Sequence, residues 1–272
     1  MKNNKAFTFT LKHDLYYGTS NNIKRIGLYI FIFLLLIVSF IRVIPAEYKG
    51  QITLLDLYLY IFKGILPISA NSEFELPLRW LTSLFTLTFI LLGYVTTDLS
   101  GIGLQCIVRS PNRSIWWFCK QLWGILTGCM YWIIAWLLMT LAICLYNNNL
   151  QLHPSNFMMT YFLEGAPSQA HIMALIIGPI LTSMTLLTLQ LLLELCFGPI
   201  ISYILIGGYL IIALYIPLPI FIGNFFILQR YQYFFENSSI TLFNCLLYNI
   251  SLSIFCVILG TYIIRRKNII SR

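Results

Sequence analysis

The chain has 272 residues, of which 59% are hydrophobic and 10% charged, and its mean hydropathy is +0.82. Soluble domains carry roughly 25% charged residues, so this composition excludes a soluble globular protein. It predicts an all-α integral membrane protein that forms a single transmembrane domain.

The N-terminal segment, residues 1–25, is polar and basic. Within it, residues 6–18 mix aromatic side chains with Lys12, His13 and Asp14, directly ahead of the first long apolar run. This composition is typical of a helix that lies in the membrane interface. We therefore predict an N-terminal interfacial helix before the first span.

Long windows without charge mark the membrane spans, because a spanning helix needs about 20 predominantly apolar residues. Pro217 and Pro219 divide the longest window, and proline breaks a helix, so we expect residues 217–228 to form an interfacial or re-entrant piece. Residues 54–66 predict a further helix, on the outer surface, with Asp56 and Lys63 on one face. The sequence predicts six transmembrane helices, at about 26–44, 80–97, 121–146, 172–193, 199–216 and 240–264.

Lys and Arg in the connecting segments predict the orientation, because they accumulate on the cytoplasmic side of membrane proteins. One side carries five in the N-terminal segment, three between the second and third spans and four in the C-terminal tail, whereas the other side carries five in total. Both termini are therefore expected in the cytoplasm. The net charge of +8 follows from this topology and does not indicate a nucleic-acid partner.

The loop between the second and third spans concentrates charge and tryptophan in the stretch RSPNRSIWWFCKQLW, residues 109–123. We expect residues 99–109 to be helical up to a break at residues 110–112, since the residue before a proline disfavours the helical region. Ser114 is expected to cap the next helix. The aromatic and basic residues that follow are typical of interfacial anchors for the third span. They are Trp116, Trp117, Lys120 and Trp123.

Motifs for catalysis are missing from the sequence. It contains no GxxxxGK[ST] phosphate-binding loop, no HExxH metal motif and no pair of Glu within a predicted span. We therefore expect neither an enzyme activity nor a cofactor or metal site in this chain. Gln190 and Glu194 are candidates for lining a substrate path, because polar groups inside spans are costly. The alternatives are that Glu194 is solvated and that Gln190 bonds a neighbouring helix.

The layout resembles that of an ABC-2 permease, the membrane subunit of a type-2 ABC exporter. Residues 75–136 resemble a subgroup associated with bacterial peptide-toxin and bacteriocin systems. In that subgroup an Asp ends the second span, and a Gly-x-Gln, an Arg and a Trp–Trp lead to a Lys that opens the third. Residues 188–200 are similar to its turn between the fourth and fifth spans. The matching residues are Asp98, Gly103, Gln105, Arg109, Trp116, Trp117 and Lys120.

This resemblance implies a role without a catalytic site. In the family, a permease pairs with an identical or a related permease, as a homodimer or heterodimer, in the bacterial cytoplasmic membrane. Separate ABC ATPase subunits, which hold ATP and Mg²⁺, drive export. The loop after the second span carries a coupling helix that docks into the ATPase subunit. Here that coupling loop corresponds to Leu99, Ile102, Gln105, Arg109 and Arg113.

Two questions stay open at the level of the sequence. The subgroup implies a peptide or another amphiphile as cargo, with a lipid or a small drug as alternatives. The competing interpretation of the whole chain is a non-transporting immunity or accessory protein, which binds a toxin or a partner complex.

Overall fold

A computed structural model of the chain describes residues 2–66, 76–109, 112–161, 169–234 and 238–266. Within these ranges the chain is helical, without strands apart from an isolated bridge between Tyr231 and Ile240. The helices are α1 (Lys2–Val43), α2 (Leu54–Phe62), α3 (Leu78–Ile90), α4 (Tyr94–Leu99), α5 (Ile102–Arg109), α6 (Arg113–Tyr146), α7 (Asn156–Tyr161), α8 (Gln169–Phe197), α9 (Pro199–Tyr215) and α10 (Leu242–Arg266).

Five helical segments in the described ranges are long and apolar enough to cross a membrane. They are α1, the α3–α4 pair, α6, α8 and α10, and they overlap five of the six predicted spans. The chain is thus an all-helical membrane protein. α9 overlaps the remaining predicted span but has 17 residues, so the count of six spans stays a prediction, as does the orientation.

α1 is continuous, so the predicted separate interfacial helix at its start is wrong. α1 and α6 run side by side in the same direction, and their contacts advance together along both helices. Phe7 contacts Phe118 near the start, and the rings of Tyr29 and Tyr131 stack 4.4 Å apart further along. Because α6 supports the polar N-terminal part of α1, this part continues the helix.

The helix predicted at residues 54–66 is present as α2, and all nine of its residues are buried. Its placement on the outer side stays a prediction. The one carboxylate of α2 is satisfied inside the protein. Asp56 accepts hydrogen bonds from the backbone N–H groups of Thr53, at 2.9 Å, and Ser155, at 2.8 Å. Burial raises the pKa of Asp56, and the N–H donors of Ser155 and Thr53 partly offset this rise.

Between α9 and α10, residues 222–231 are buried inside the bundle, whereas Leu218 and Ile220 before them are exposed. The buried part contains two short 3-10 turns, Ile222–Phe226 and Leu228–Arg230, and all residues of both turns are buried. The first turn contacts α8, α9 and α10. Residues 222–228 thus fold back into the protein, and the choice between an interfacial and a re-entrant piece for residues 217–228 stays a prediction.

Candidate functional site

A buried ionic cluster, formed by Asp14, Asp98 and Lys120, joins α1, α4 and α6. The Lys120 ammonium contacts Asp14 Oδ1 and lies 2.8 Å from Asp98 Oδ2. It also donates to the Tyr94 hydroxyl at 3.3 Å, and Trp116 Nε1 donates to Asp98 Oδ2 at 2.9 Å. The three charged side chains are at most 1% exposed. These contacts hold three helices together at one point.

The helical spacing of α6 explains why these groups meet. Trp116 and Lys120 are four residues apart and therefore lie on the same face of the helix. The ammonium of Lys120 lies 4.5 Å from the centre of the Tyr94 ring, in a cation–π contact. Aromatic rings thus shield Lys120 from water, while the two carboxylates compensate its charge.

The cluster is not fully satisfied. Asp14 Oδ2, Asp98 Oδ1 and the nearby His13 Nε2 are buried without a hydrogen-bond partner. His13, Asp14 and Asp98 place potential metal-ligand atoms within 4.8 Å of one another. The Lys120 ammonium, however, already contacts both carboxylates where a metal ion would bind. The arrangement therefore does not favour a metal centre.

The second predicted span is broken at Gly93. α3 ends at Ile90, and Gly93 has φ +77°, in the left-handed region that favours glycine. Arg25 of α1 donates to the carbonyl oxygens of Ile90, at 3.2 Å, and Leu92. The last carbonyls of a helix lack partners within it. Arg25 therefore supplies hydrogen bonds that the break in the helix removes.

Glu194 of α8 accepts hydrogen bonds on the other side of the break, at the start of α4. Its Oε2 accepts from Gly93 N at 3.1 Å, and its Oε1 accepts from Thr96 N at 2.9 Å and Thr96 Oγ1 at 3.0 Å. A carboxylate at a helix N-terminus satisfies free N–H groups and interacts favourably with the helix dipole. Arg25 and Glu194 together stabilise the break, because they form hydrogen bonds with backbone groups on its two sides.

Gln190 and Glu194, the predicted substrate-path residues, are both buried. Gln190 Nε2 donates to the Thr88 carbonyl oxygen at 2.8 Å, so both residues bind the α3–α4 segment. Neither borders the cavity of about 10 Å³ beside Asn22 or the open cavity of about 470 Å³ beside His153. Burial excludes simple solvation of Glu194. A role of either residue in a substrate path stays a prediction.

α5 occupies part of the predicted coupling loop. The turn at Ser100 and Gly101 separates it from α4, so residues 99–109 do not form one helix. Gly103 lies against Asp98, where a Cβ atom would clash with the carboxylate. α5 is therefore in direct contact with the ionic cluster.

The coupling-loop residues differ in exposure. Gln105 is exposed, and Leu99 and Arg113 are half-buried. The side chains of Ile102 and Arg109 lie outside the described part of the chain, as do residues 110–111 of the predicted break. α5 also buries Ile107, so it presents one apolar face to the protein and a polar residue to the outside.

The cap of α6 is Asn112 rather than Ser114. The Asn112 side chain accepts a hydrogen bond from Ser114 N at 3.0 Å, because Asn112 has the extended backbone that a capping residue needs. The Ser114 hydroxyl instead accepts a hydrogen bond from Arg265 Nε of α10, at 2.8 Å.

The four predicted interfacial anchors are inside the protein rather than at its lipid boundary. The Trp117 indole lies against Gly260 of α10 and donates to the Cys256 carbonyl oxygen at 3.3 Å. Trp123 lies against Gly18 of α1. Glycines on the neighbouring helices leave room for these rings, so they fasten α6 to α1 and α10. The anchors with at most 2% exposure are Trp116, Trp117, Lys120 and Trp123.

A second buried charge lies at the end of α9. Arg230 donates to the carbonyl oxygens of Ala213, at 2.6 Å, and Leu214 in the last turn of α9, and to Ile65 O at 3.2 Å and Asn224 Oδ1. In the part of the chain described, no carboxylate forms an ion pair with it. Burial lowers the pKa of Arg230 to about 10, so it remains a cation at neutral pH.

Sequence reasoning missed Asp14, Tyr94, Arg25 and Arg230 as structural partners. Arg25 and Arg230 contribute to the charge asymmetry that predicts the topology, which does not indicate their partners. One signal for Asp14 was present: it is the single acidic residue in an N-terminal segment with five basic ones. A lone acid in a basic segment indicates a specific partner, but the partner is 106 positions away.

These features define an all-helical membrane protein in which buried charged side chains hold together helix ends, a broken span and the short helix α5. A family model described as "Protein of unknown function (DUF2705)" matches residues 58–270, which is most of the chain, and the chain belongs to this family. No curated protein and no solved structure matches the chain.

Proposed function

We propose that the chain is the permease subunit of an ABC exporter in the bacterial cytoplasmic membrane. With an identical or related permease, it forms the path for a peptide or another amphiphile, and a separate ATPase subunit drives transport. The observation that carries this proposal is α5, a short helix set off from the end of a span, with Ile107 buried and Gln105 exposed. Such a helix suits docking into a partner subunit.

The contacts of α5 supply a route from the docking contact to the spans. A displacement of α5 acts on Asp98 through Gly103, and Asp98 belongs to α4. The break at Gly93 separates α4 from α3, so α4 can turn relative to the rest of the span. Arg25 and Glu194, which bind the two sides of this break, connect its position to α1 and α8.

Purification of the affinity-tagged full-length chain in mild detergent, from the cell that encodes it, tests this assignment. We expect an ATP-hydrolysing subunit to co-purify in equal amount, which a nucleotide-hydrolysis assay and mass spectrometry would identify. Capture of a toxin or another complex without an ATPase would instead favour the immunity or accessory interpretation.

Charge reversal tests the docking surface. The double variant Arg109→Glu, Arg113→Glu should release the ATPase subunit or uncouple ATP hydrolysis from export, without changing membrane insertion. The matched control is the double variant Lys12→Glu, Lys24→Glu, at two exposed positions of α1. It should leave ATPase association and export unchanged. Wild-type ATPase association and export in the Arg109, Arg113 variant would exclude this segment as the contact.

Cysteine labelling tests the orientation. In a background without the seven native cysteines, a membrane-impermeant reagent added from outside should modify Glu73→Cys and not Lys5→Cys. Labelling of Lys5→Cys alone would reverse the proposed topology.

The variant Gln190→Leu tests the substrate path. If Gln190 faces cargo, export falls while expression and subunit assembly are unchanged. Unchanged export would limit Gln190 to its hydrogen bond with Thr88.

A further inference from the structure

The charges of the ionic cluster do not balance. Two carboxylates, Asp14 and Asp98, contact one ammonium group, Lys120. Lys120 is the only cation in the described ranges that contacts both of them. One carboxylate oxygen of each aspartate, Asp14 Oδ2 and Asp98 Oδ1, is buried without a hydrogen-bond donor. An uncompensated charge in a buried site is costly, and ionisable groups in this situation bind protons instead.

Among the side chains that the structure describes, no lysine or arginine besides Lys120 forms an ion pair with the cluster. From α1, His13 lies 3.5 Å from Asp14, and Tyr17 stacks on His13. From α4, Tyr94 accepts a hydrogen bond from Lys120. From α6, Trp116 and Cys119 approach it, and from α5 the backbone of Gly103 lies against Asp98. The Nε2 atom of His13 is buried without a hydrogen-bond partner.

We propose that the ionic cluster is a proton-binding site, which at neutral pH holds one proton shared between Asp14 and Asp98. The proton comes from water and binds a free lone pair of either carboxylate, which makes the cluster neutral without breaking another bond. A proton fits better than a metal ion because it needs no space, and Lys120 already fills the position between the carboxylates. The inference does not depend on the chain being an exporter.

The proton-binding site lies next to α5, so the protonation of the cluster affects how α5 packs. Asp98 lies at the end of α4 and touches α5 through Gly103. Loss of the proton leaves a net negative charge between α1, α4 and α6, directly beneath α5. Proton binding therefore stabilises the packing that positions α5.

Infrared spectroscopy tests the proposal directly, because Asp14, Asp56 and Asp98 are the only three aspartates in the chain. The full-length protein is labelled with ¹³C at the aspartate carboxyl groups and placed in lipid nanodiscs. In an Asp56→Asn background, the label then reports on the cluster alone. We expect one protonated and one ionised aspartate carboxyl group at pH 7.

Substitutions distinguish a proton that is bound only when both aspartates are present from a proton that one aspartate binds by itself. Asp14→Asn and Asp98→Asn should each abolish the protonated signal, since the remaining carboxylate pairs with Lys120. Lys120→Met should add a second protonated carboxyl group, and His13→Gln should leave the single signal unchanged. Absence of a protonated aspartate in the parent protein, or its persistence in either Asn variant, would overturn the proposal.

Thermal unfolding provides a second measurement if an Asn variant gives poor spectra. The parent protein should lose unfolding temperature as the pH rises through the titration of the cluster, because the buried pair then gains an uncompensated charge. Asp14→Asn should lack this decrease. Parallel pH profiles of the parent protein and Asp14→Asn would contradict a bound proton.

Discussion

The ionic cluster and the Arg230 site bury charge in two different ways. Lys120 is compensated by carboxylates from two other helices, whereas Arg230 is surrounded by backbone carbonyls and Asn224. Removal of Lys120 leaves two buried carboxyl groups without a cation, so both must bind a proton to avoid a buried charge. Removal of Arg230 leaves only neutral carbonyls without donors. The free-energy cost of losing a buried cation therefore depends on whether its former partners are charged or neutral.

The largest effect is expected for Lys120→Met. Breaking a buried ion pair by removing one partner costs about 3–5 kcal/mol, so we expect a loss of unfolding free energy in this range at neutral pH. The loss should shrink at low pH, because the variant then takes up its second proton from solution at a smaller cost in free energy. Denaturant unfolding in detergent, followed by tryptophan fluorescence, measures it. The exposed Lys12→Met serves as the control, and equal losses in both variants would remove the distinction between buried and exposed lysines.

Arg230→Met should cost somewhat less, about 2–4 kcal/mol, because four hydrogen bonds of about 0.5–1 kcal/mol each are lost and no charge is left unpaired. Unlike Lys120→Met, this loss should not change between pH 5 and pH 8, since no carboxylate pairs with Arg230 in the described ranges. The same unfolding assay measures it, with the exposed Arg266→Met as control. A loss larger than that of Lys120→Met would reverse the comparison.

Gly93→Ala tests the break between the charged partners of α3 and α4. An L-residue in the left-handed region costs roughly 1–2 kcal/mol, so the unfolding free energy should fall by about that amount. Gly27→Ala is the matched control, because Gly27 lies in α1 with no atom near its missing side chain. That variant should gain up to about 1 kcal/mol from helix propensity. Destabilisation by both substitutions to the same extent would argue against a special role of Gly93.

The smallest effect concerns Asp56, a third buried charge. Burial raises its pKa, so the stability it contributes is present below the ordinary carboxyl pKa and is lost as the pH rises through the folded-state value. Asp56→Asn should therefore show a smaller fall in unfolding temperature between pH 4 and pH 7 than the parent protein. Glu47→Gln, at an exposed position, should match the parent profile. A steeper profile for Asp56→Asn would contradict the direction of the shift.

Helix positions were largely predictable from the sequence, because charge-free apolar windows depend on local composition. α10 begins and ends within two residues of the limits that its window indicates, and α6 ends where its window ends although it begins eight residues earlier. The break at Gly93 was not predictable, since no proline marks it and its stability depends on Arg25 and Glu194 from distant parts of the chain. The burial of Trp117 was missed for a related reason, because it requires Gly260 on a helix more than a hundred residues away.

Because α1 is one continuous helix, its two ends are rigidly connected over a long distance. At 1.5 Å per residue, its 42 residues extend about 63 Å, roughly twice the thickness of a hydrocarbon core. Tyr29, which stacks on Tyr131, lies between the two ends of α1. Along the helix axis, Asp14 is about 22 Å from Tyr29 on the N-terminal side and Phe40 is about 16 Å from it on the C-terminal side. Phe40 contacts Tyr60 of α2. A rigid tilt of α1 about Tyr29 would move Asp14 and Phe40 in opposite directions. A displacement of α1 at the ionic cluster would therefore also move its contact with α2.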